Sequence, residues 1–427
     1  TRNDGHGNFA GIESYALFPT NVNTPTSLVA VDVDGDQDLD FIVGRSFPLP
    51  TDMQTLLLRN DGAGHFTLSP GLPVDASLGC AGLAAFDCDG DHDVDLFLST
   101  PNNLLGAQPD RLLINDGSGV FTPSTRSLPQ DGVLSTSPIA ADVDRDGDLD
   151  LCFLRAMRVF PLTGGSTLYL NDGLGGFTDA TATHLPQNFG IGGLGLVLFD
   201  ADGDQDLDLA VYSPDSGLTT ADRLVLNDGT GHFPSVPINY FPNPPVKGTM
   251  RLIPLDVDGD SDLDLFVARV QQASSESRLA DRDALWRNDG TGHFTDATST
   301  FLPLLSTSAL EAIADDLDGD GDIDILIREA GRMQYLRNEA GTFVDDLRYR
   351  IPSDVIGAAS FEFADVDRDG IPDLLATRAA DSALIFARND GDGRVLKSPQ
   401  RADVSNRFVA PDADGDGATD ALELIDG

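Results

Sequence analysis

Short apolar runs alternate with two kinds of polar turn along the whole chain. In the first repeat, apolar runs at 28–31 and 41–43 flank a loop of alternating aspartates at 32–40, and a third run leads into an Asn-Asp-Gly turn at Asn60. Apolar runs of this length, bounded by Gly, Asn and Asp, are typical of β-strands joined by tight turns. Each repeat therefore predicts strand A, the aspartate loop, strand B, a variable connection, strand C, the Asn-Asp-Gly turn and strand D.

The nine-residue aspartate loop occurs eight times, and we number these copies loops 1 to 8. They begin at residues 32, 87, 142, 200, 256, 316, 365 and 412, so successive starts are 47 to 60 residues apart. This period is typical of propeller blades and too long for leucine-rich or most helical repeats. Strand B is a nearly continuous apolar run, as at 149–154, which is expected of a strand covered on both faces.

The two ends of the chain complement each other. Residues 1–10 supply a C–D hairpin alone, and residues 407–427 supply an A–B hairpin alone. The sequence therefore predicts an all-β fold: one domain, an eight-bladed β-propeller of four-stranded antiparallel blades, with the last blade shared between the N- and C-terminal hairpins and no exposed sheet edge. The predicted blades span 26–70, 78–124, 136–180, 193–236, 250–297, 309–346, 358–397, and 407–427 plus 1–12.

The aspartate loops have the chemistry of a calcium site. Carboxylates at this spacing repel one another strongly unless a cation lies between them. Ligands that are all oxygen favour Ca²⁺, because Mg²⁺ usually retains several waters and Zn²⁺ or Cu²⁺ prefers His or Cys. The spacing resembles the first half of an EF-hand loop, but the closing carboxylate comes at position 9 and the flanks are strands. One acidic loop alone could be a solvated turn; eight in register predict about eight Ca²⁺ ions.

At this point the repeat resembles a known family. The pattern Asp-x-Asp-Gly-Asp-x-Asp-x-Asp, followed by Leu-x-Leu-Asn-Asp-Gly-x-Gly-x-Phe-Thr, is similar to FG-GAP/VCBS repeats, as in the integrin α-subunit propeller and in propeller lectins. The resemblance covers nearly the whole chain and implies calcium ligation by the side chains at positions 1, 3, 5 and 9 and by the backbone carbonyl at position 7. The implied ligand positions are Asp32, Asp34, Asp36, Asp38 and Asp40; Asp87, Asp89, Asp91, Asp93 and Asp95; Asp142, Asp144, Asp146, Asp148 and Asp150; Asp200, Asp202, Asp204, Asp206 and Asp208; Asp256, Asp258, Asp260, Asp262 and Asp264; Asp316, Asp318, Asp320, Asp322 and Asp324; Asp365, Asp367, Asp369, Ile371 and Asp373; and Asp412, Asp414, Asp416, Ala418 and Asp420.

Four loops depart from the family pattern at position 6, which is usually Gly. Gln37, His92, Gln205 and Ser261 occupy it instead. We expect these loops either to strain a non-glycine residue or to turn at the Gly of position 4.

The charge and composition of the chain limit the classes of partner that it is expected to bind. The net charge of −43 opposes binding to nucleic acid or to an anionic membrane surface. No stretch approaches the roughly 20 apolar residues of a membrane span, so we expect no membrane insertion. Calcium sites of modest affinity are filled where calcium is millimolar, which favours a secreted or cell-surface protein. The chain begins inside a repeat, as expected if a leader has been removed or the domain belongs to a longer protein.

The variable connections are the candidate recognition surface. In a blade of this topology, the A–B and C–D turns share one face, so the B–C and D–A connections emerge on the other. Recognition is common on variable loops held by a rigid scaffold. We expect a non-catalytic recognition or adhesion module for an extracellular glycan or protein ligand, although these connections could equally be ordinary solvated loops. The candidate contact residues are Tyr240, Phe241, Lys247, Arg278 and Arg282.

An enzyme is the alternative class, because some polysaccharide lyases use calcium propellers. Lyase chemistry needs a base together with cations that hold an acidic sugar. Five of the six histidines belong to the repeated turns and loops, and only His184 lies elsewhere. This distribution favours a non-catalytic module. A structural domain of a larger surface protein is a further alternative.

Overall fold

The computed structural model describes twenty-three segments of the chain. They are residues 2–3, 9–10, 25–36, 40–45, 55–60, 66–73, 80–99, 109–129, 135–155, 165–191, 193–213, 222–235, 240–242, 248–270, 282–303, 309–318, 320–329, 332–345, 358–364, 373–378, 384–387, 407–410 and 420–423.

Almost all regular structure in these segments is β-strand. The strands of the first half of the chain are β1 (Arg2–Asn3), β2 (Phe9–Ala10), β3 (Pro25–Val31), β4 (Asp40–Arg45), β5 (Leu56–Asn60), β6 (Phe66–Ser69), β7 (Gly82–Phe86), β8 (Asp95–Ser99), β9 (Arg111–Asn115), β10 (Phe121–Pro123), β11 (Ser135–Ala141), β12 (Asp150–Arg155), β13 (Ser166–Asn171), β14 (Phe177–Asp179), β15 (Gly195–Phe199) and β16 (Asp208–Tyr212). The remainder are β17 (Arg223–Val225), β18 (Thr249–Leu255), β19 (Asp264–Arg269), β20 (Ala284–Asn288), β21 (Phe294–Asp296), β22 (Ala309–Asp315), β23 (Asp324–Glu329), β24 (Arg332–Glu339), β25 (Thr342–Asp345), β26 (Ala358–Ala364), β27 (Asp373–Arg378), β28 (Leu384–Ala387), β29 (Arg407–Ala410) and β30 (Asp420–Glu423).

Two helices of four residues, α1 (Thr181–His184) and α2 (Thr298–Phe301), lie in D–A connections. Across the described segments, no helix has the length and apolar character needed to cross a membrane.

The strands form antiparallel sheets in chain order, each with one aspartate loop between its first two strands. We number them by these loops: sheet 1 is β3–β6, sheet 2 is β7–β10, sheet 3 is β11–β14, sheet 4 is β15–β17, sheet 5 is β18–β21, sheet 6 is β22–β25, sheet 7 is β26–β28, and sheet 8 has the order β2-β1-β30-β29. The predicted all-β fold of four-stranded antiparallel units is confirmed, with three described strands in sheets 4 and 7. In sheet 8, the two ends of the chain pair at Arg2 and Asp420.

The hydrophobic core lies between consecutive sheets. Strand β12 is buried at all six positions, and β19 is likewise buried along its length, as the continuous apolar pattern of strand B predicted. The buried clusters join sheet 1 to sheet 2, sheet 2 to sheet 3, sheet 3 to sheet 4, sheet 4 to sheet 5 and sheet 5 to sheet 6. Cys80, Cys88 and Cys152 are buried free thiols within these clusters. Among the described residues, sheets 2 to 5 therefore pack apolar side chains against a neighbour on each side.

The D–A connections run differently from the prediction. Each was expected to stay on the face opposite the aspartate loops. Three of them instead bind the start of strand D in the next sheet, beside its Asn-Asp-Gly turn. The backbone N–H groups of Phe121, Phe233 and Phe294 donate to the carbonyls of Gly71, His184 and Tyr240, at 2.8, 2.7 and 2.7 Å. These three connections therefore fasten consecutive sheets together.

Candidate metal centres

The aspartate loops connect strands A and B at the same end of each sheet. Loops 2 to 5 are described throughout, and loops 1 and 6 lack only residues 37–39 and 319. In loops 7 and 8 the described residues are the closing aspartates, which begin β27 and β30. The remaining predicted ligand positions lie outside the described residues: Asp38, Asp365, Asp367, Asp369, Ile371, Asp412, Asp414, Asp416 and Ala418.

The aspartate at position 9 is the buried anchor of each loop. In loops 1 to 6 this residue is at most 1% exposed. In loop 4, Oδ2 of Asp208 accepts the N–H of Ala201 at 2.8 Å, and Oδ1 accepts the N–H of Asn227 at 2.7 Å. The same pair of bonds recurs in loops 2, 3, 5 and 6. One carboxylate thus ties the start of the loop to the Asn-Asp-Gly turn.

Positions 1 and 5 fold the loop around its own carboxylates. In loop 5, Oδ1 and Oδ2 of Asp256 accept the N–H groups of Gly259 and Ser261 at 2.8 and 2.9 Å. Oδ1 of Asp260 accepts the N–H of Asp262 at 3.0 Å. In this loop, carboxylate oxygens of positions 1, 3 and 5 lie close together.

Position 3 leaves a buried carboxylate oxygen that accepts no hydrogen bond. The atom is Oδ1 in Asp34, Asp89, Asp202, Asp258 and Asp318, and in loop 3 the corresponding atom is Oδ1 of Asp142 at position 1. A buried polar atom without a partner is costly, and its repetition in six loops fits a position that a cation would occupy.

The oxygen clusters have dimensions that suit a calcium ion. In five loops, three carboxylate oxygens lie within 4.8 Å of one another: those of Asp32, Asp34 and Asp36; Asp87, Asp89 and Asp95; Asp142, Asp144 and Asp146; Asp200, Asp202 and Asp208; and Asp256, Asp258 and Asp260. Calcium–oxygen distances of about 2.4 Å place ligand oxygens within about 5 Å of each other. Donor set, spacing and unpartnered oxygens therefore fit Ca²⁺.

Three of the loops without glycine at position 6 combine the two expected conformations, a turn at the Gly of position 4 and a strained residue at position 6. The Gly at position 4 has a positive φ in loops 1, 2, 4 and 5. Position 6 is also left-handed in loops 2, 4 and 5, with φ of 72° at His92, 72° at Gln205 and 73° at Ser261. Gln37 of loop 1 lies outside the described residues. A left-handed conformation costs a non-glycine residue about 1–2 kcal/mol. These loops therefore retain a strained turn, which a bound cation would help to hold.

The Asn of the Asn-Asp-Gly turn links each sheet to the preceding one. Nδ2 of Asn227 donates to the carbonyl of Val143, in loop 3, at 2.7 Å, and to the carbonyl of Leu207, in its own loop, at 3.2 Å. Equivalent inter-sheet bonds join loops 1, 2, 4 and 5 to the Asn of the following sheet. The sequence predicted this Asn only as a turn residue. Its recurrence at a similar distance after the aspartate loop in the repeats was the available signal.

Burial raises the pKa of the anchoring carboxyls. It raises the pKa of Asp150, Asp208 and Asp324 to about 7 and that of Asp264 to about 6, against the lowering effect of the N–H donors that bind them. Burial, followed by neighbouring carboxylates, also raises the pKa of Asp89 and Asp202. A cation that bound in these loops would therefore compete with protons for the carboxylates.

We expect the metal-free protein to become less stable as the pH rises. Because the folded pKa values of Asp150, Asp208 and Asp324 lie near 7 and unfolded carboxyls titrate near 4, the folded state binds more protons between these values. Stability then falls as the pH rises through this window. In EDTA, the melting temperature should be higher at pH 5.5 than at pH 8, and added calcium should remove or reverse the trend. A melting temperature in EDTA that increases from pH 5.5 to 8 would contradict this.

Two of the candidate contact residues lie in the core, which corrects that part of the prediction. Tyr240 and Phe241 are 6% and 5% exposed. The ring of Phe241 packs at 5.0 Å from Trp286 and 5.6 Å from Phe294. The backbone hydrogen bond from Phe294 to Tyr240 holds their connection against the next sheet. The two aromatic residues of this variable loop therefore pack in the core. Arg282 is partly exposed at the end of a B–C connection, whereas Lys247 and Arg278 lie outside the described residues.

Comparisons with known proteins agree with this architecture. A model of the FG-GAP-like repeat matches residues 94–153, 159–211, 256–327 and 316–376, more than half of the 427 residues. No curated protein sequence matches the chain. An Agrocybe aegerita lectin, whose structure concerns recognition of non-reducing terminal N-acetylglucosamine, is 15% identical over 94% of this chain and 96% of its own, with a TM-score of 0.54. An ancestral GH74 enzyme is 10% identical over 94% of this chain and 51% of its own, with a TM-score of 0.50. At these identities the two structures support the fold alone.

Proposed function

Because the chain belongs to the FG-GAP-like repeat family, we propose that it is a calcium-stabilised β-propeller that acts as a non-catalytic recognition module outside the cell. The proposed form is a closed ring of eight blades in one domain, with about eight Ca²⁺ ions and with sheet 8 formed by both ends of the chain. A secreted or cell-surface location supplies the millimolar calcium that such sites use.

The observation that carries this proposal is how the loop carboxylates are used. Positions 1, 5 and 9 accept backbone N–H groups of their own hairpin, and position 9 also fixes the Asn-Asp-Gly turn. An ion held there would be enclosed by the ends of the strands, with its ligands already committed to shaping the blade. Calcium would therefore stabilise the fold, and a different surface would bind the ligand.

The B–C connections are the proposed recognition surface. Strand B runs from the aspartate loop to the opposite end of the sheet, and strand C returns from there, as where β19 ends at Arg269 and β20 begins at Ala284. The connection between them contains Arg278 and Arg282, which remain the candidate contact residues. Two arginines suit an anionic or hydroxyl-rich partner, because the guanidinium group donates several hydrogen bonds in a planar array.

A glycan is the first ligand class to assay, with a protein ligand as the alternative. The fold shared with the N-acetylglucosamine-recognising lectin motivates this order, and the proposal does not extend that lectin's specificity to this chain. The described histidines also support a non-catalytic role, since His232 and His293 are tied to Asn-Asp-Gly turns by hydrogen bonds to Asp228 and Thr291.

The test is a glycan array in calcium and in EDTA, run beside an absorbance assay for unsaturated uronate products. We expect calcium-dependent binding without turnover. The double variant Arg278→Ala and Arg282→Ala should weaken binding at an unchanged melting temperature, whereas Asp256→Ala should lower the melting temperature. Formation of unsaturated product would instead identify a polysaccharide lyase. If Asp256→Ala abolished binding without loss of stability, the calcium face would be the binding face.

A further inference from the structure

The residue before the Asn-Asp-Gly turn divides the repeats into two groups. It is arginine in five repeats and apolar in the other three. The arginines are Arg2, Arg59, Arg287, Arg337 and Arg388, and the apolar residues are Ile114, Leu170 and Leu226. The apolar residues belong to three consecutive sheets, 2, 3 and 4. The two groups are therefore contiguous in the order of the sheets and are not scattered among them.

The described arginines enter the calcium loop of their own sheet. Nη1 of Arg59 lies 2.6 Å from Oδ2 of Asp34, at position 3 of loop 1. Nη2 of Arg287 lies 2.6 Å from Oδ2 of Asp258, at position 3 of loop 5, and 2.9 Å from Oδ2 of Asp260.

In loop 6 the same contact is longer. Nη1 of Arg337 lies 3.9 Å from Oδ2 of Asp318, while Nη2 pairs with Glu339. In all three loops, the guanidinium group approaches the carboxylate that also carries the buried unpartnered oxygen.

Loops 2, 3 and 4 have no arginine or lysine on a ligand carboxylate among the described residues. The side chains of Leu170 and Leu226 lie beside Gly231 and Gly292, in the turn of the next sheet. Arg59 also reaches the turn of the next sheet, beside Gly119, so the two groups differ in the ion pair with the loop carboxylate and not in this packing. Arg145 is the nearest exception, since its Nε lies 2.5 Å from Asp206. Asp206 occupies position 7, where the ligand is the backbone carbonyl. His92 approaches Asp87 at 3.6 Å, but its side chain is 96% exposed.

We propose that the residue before the Asn-Asp-Gly turn sets the calcium affinity of its loop, which rests on the proposed calcium-stabilised propeller. Loops 2, 3 and 4 form a tight class, and loops 1 and 5 to 8 form a weaker class. Calcium must displace the guanidinium group from a ligand carboxylate and is repelled by its charge. The arginine side chains in loops 1, 5 and 6 are 20–43% exposed, so solvent reduces this effect to roughly tenfold in Kd.

The arginine also gives the weaker loops a cation of their own. When calcium is removed, Arg59 and Arg287 still neutralise part of the carboxylate cluster at position 3. Loops 2, 3 and 4 lack this substitute and keep the full repulsion. As free calcium falls, the weaker loops should therefore release their ions first with little change in shape, while the three consecutive tight loops remain filled.

The single tryptophan provides a reporter for one weak site. Trp286 is the only tryptophan in the chain, it is buried, and it pairs with Leu265 directly after the closing aspartate of loop 5. Its fluorescence during a calcium titration of stripped full-length protein should follow loop 5. Native mass spectrometry at buffered free calcium counts the ions in all loops.

The experiment compares Arg287→Leu and Arg287→Gln with the reciprocal variant Leu226→Arg. Both changes at Arg287 should lower the tryptophan midpoint about tenfold in calcium concentration. Arg251→Gln, which removes the same charge from an exposed position of sheet 5, should leave it unchanged. At free calcium between the two midpoints, the wild type should hold three ions and Leu226→Arg two.

Each outcome separates this inference from the proposed function. An unchanged or raised midpoint in both Arg287 variants, or a single class of about eight equivalent ions, would overturn the two-class inference while leaving the calcium propeller intact. Absence of bound calcium in the wild type would overturn both.

Discussion

Chelation of calcium is expected to lower the melting temperature by on the order of 20 °C. Each filled site contributes about 3 kcal/mol at a hundredfold excess of calcium over Kd. A chain of this length changes its melting temperature by only about 1 °C per kcal/mol, so the large shift requires several sites acting together. The six described loops each contain a buried carboxylate oxygen without a partner, and filling all of them supplies that sum.

The measurement is thermal unfolding in calcium, in EDTA and in EDTA followed by excess magnesium. Magnesium should restore little of the loss, because it requires a smaller octahedral site and gives up its waters reluctantly. Identical melting temperatures in calcium and EDTA would show that the loops hold their shape without an ion.

Asn227→Ala is expected to lower the free energy of unfolding by about 2–4 kcal/mol, because it leaves buried polar groups unpaired. The amide of Asn227 donates to Val143 and Leu207, so the substitution removes both a bond between sheets and a bond within its own sheet. The side chain is also only 5% exposed, and water cannot readily replace it.

Asp228→Ala is the matched control for this variant. Asp228 is the next residue of the same turn, but it is exposed and binds only its own turn, through Thr230 and His232. Its loss should cost less than about 1 kcal/mol. Denaturant midpoints in saturating calcium measure both variants. Equal losses would show that the inter-sheet bond contributes nothing beyond the turn itself.

The repeated hairpins could be predicted because their determinants are local. An alternating aspartate loop between two apolar runs allows few conformations, and the sheet order β3-β4-β5-β6 follows from short connections between antiparallel strands. The burial of β12 on both faces could likewise be predicted from its nearly continuous run of apolar residues.

Contacts between sheets could not be predicted in the same way. Asn171 binds the carbonyl of Cys88, 83 residues earlier, and no local pattern specifies such a partner. Tyr240 and Phe241 were assigned to a surface because their connection varies in sequence, but the same connection crosses to the next sheet and buries both rings. Their aromatic side chains, in a connection rich in proline and aliphatic residues, were the signal for packing.

The arginines before the turns show a further limit of position-by-position comparison. A repeat pattern reads Arg59 and Leu226 as equivalent strand residues, since both precede the same turn. Both side chains lie beside a glycine in the turn of the next sheet, and only the three-dimensional structure shows that the guanidinium of Arg59 also reaches Asp34.

Calcium content is the most direct test of the account. Metal analysis of protein equilibrated with millimolar calcium and then freed of unbound ion should find about eight calcium ions per chain, one for each aspartate loop. Two or fewer ions per chain would contradict the account, because most of the carboxylate clusters would then be held together without the cation on which the proposed scaffold depends.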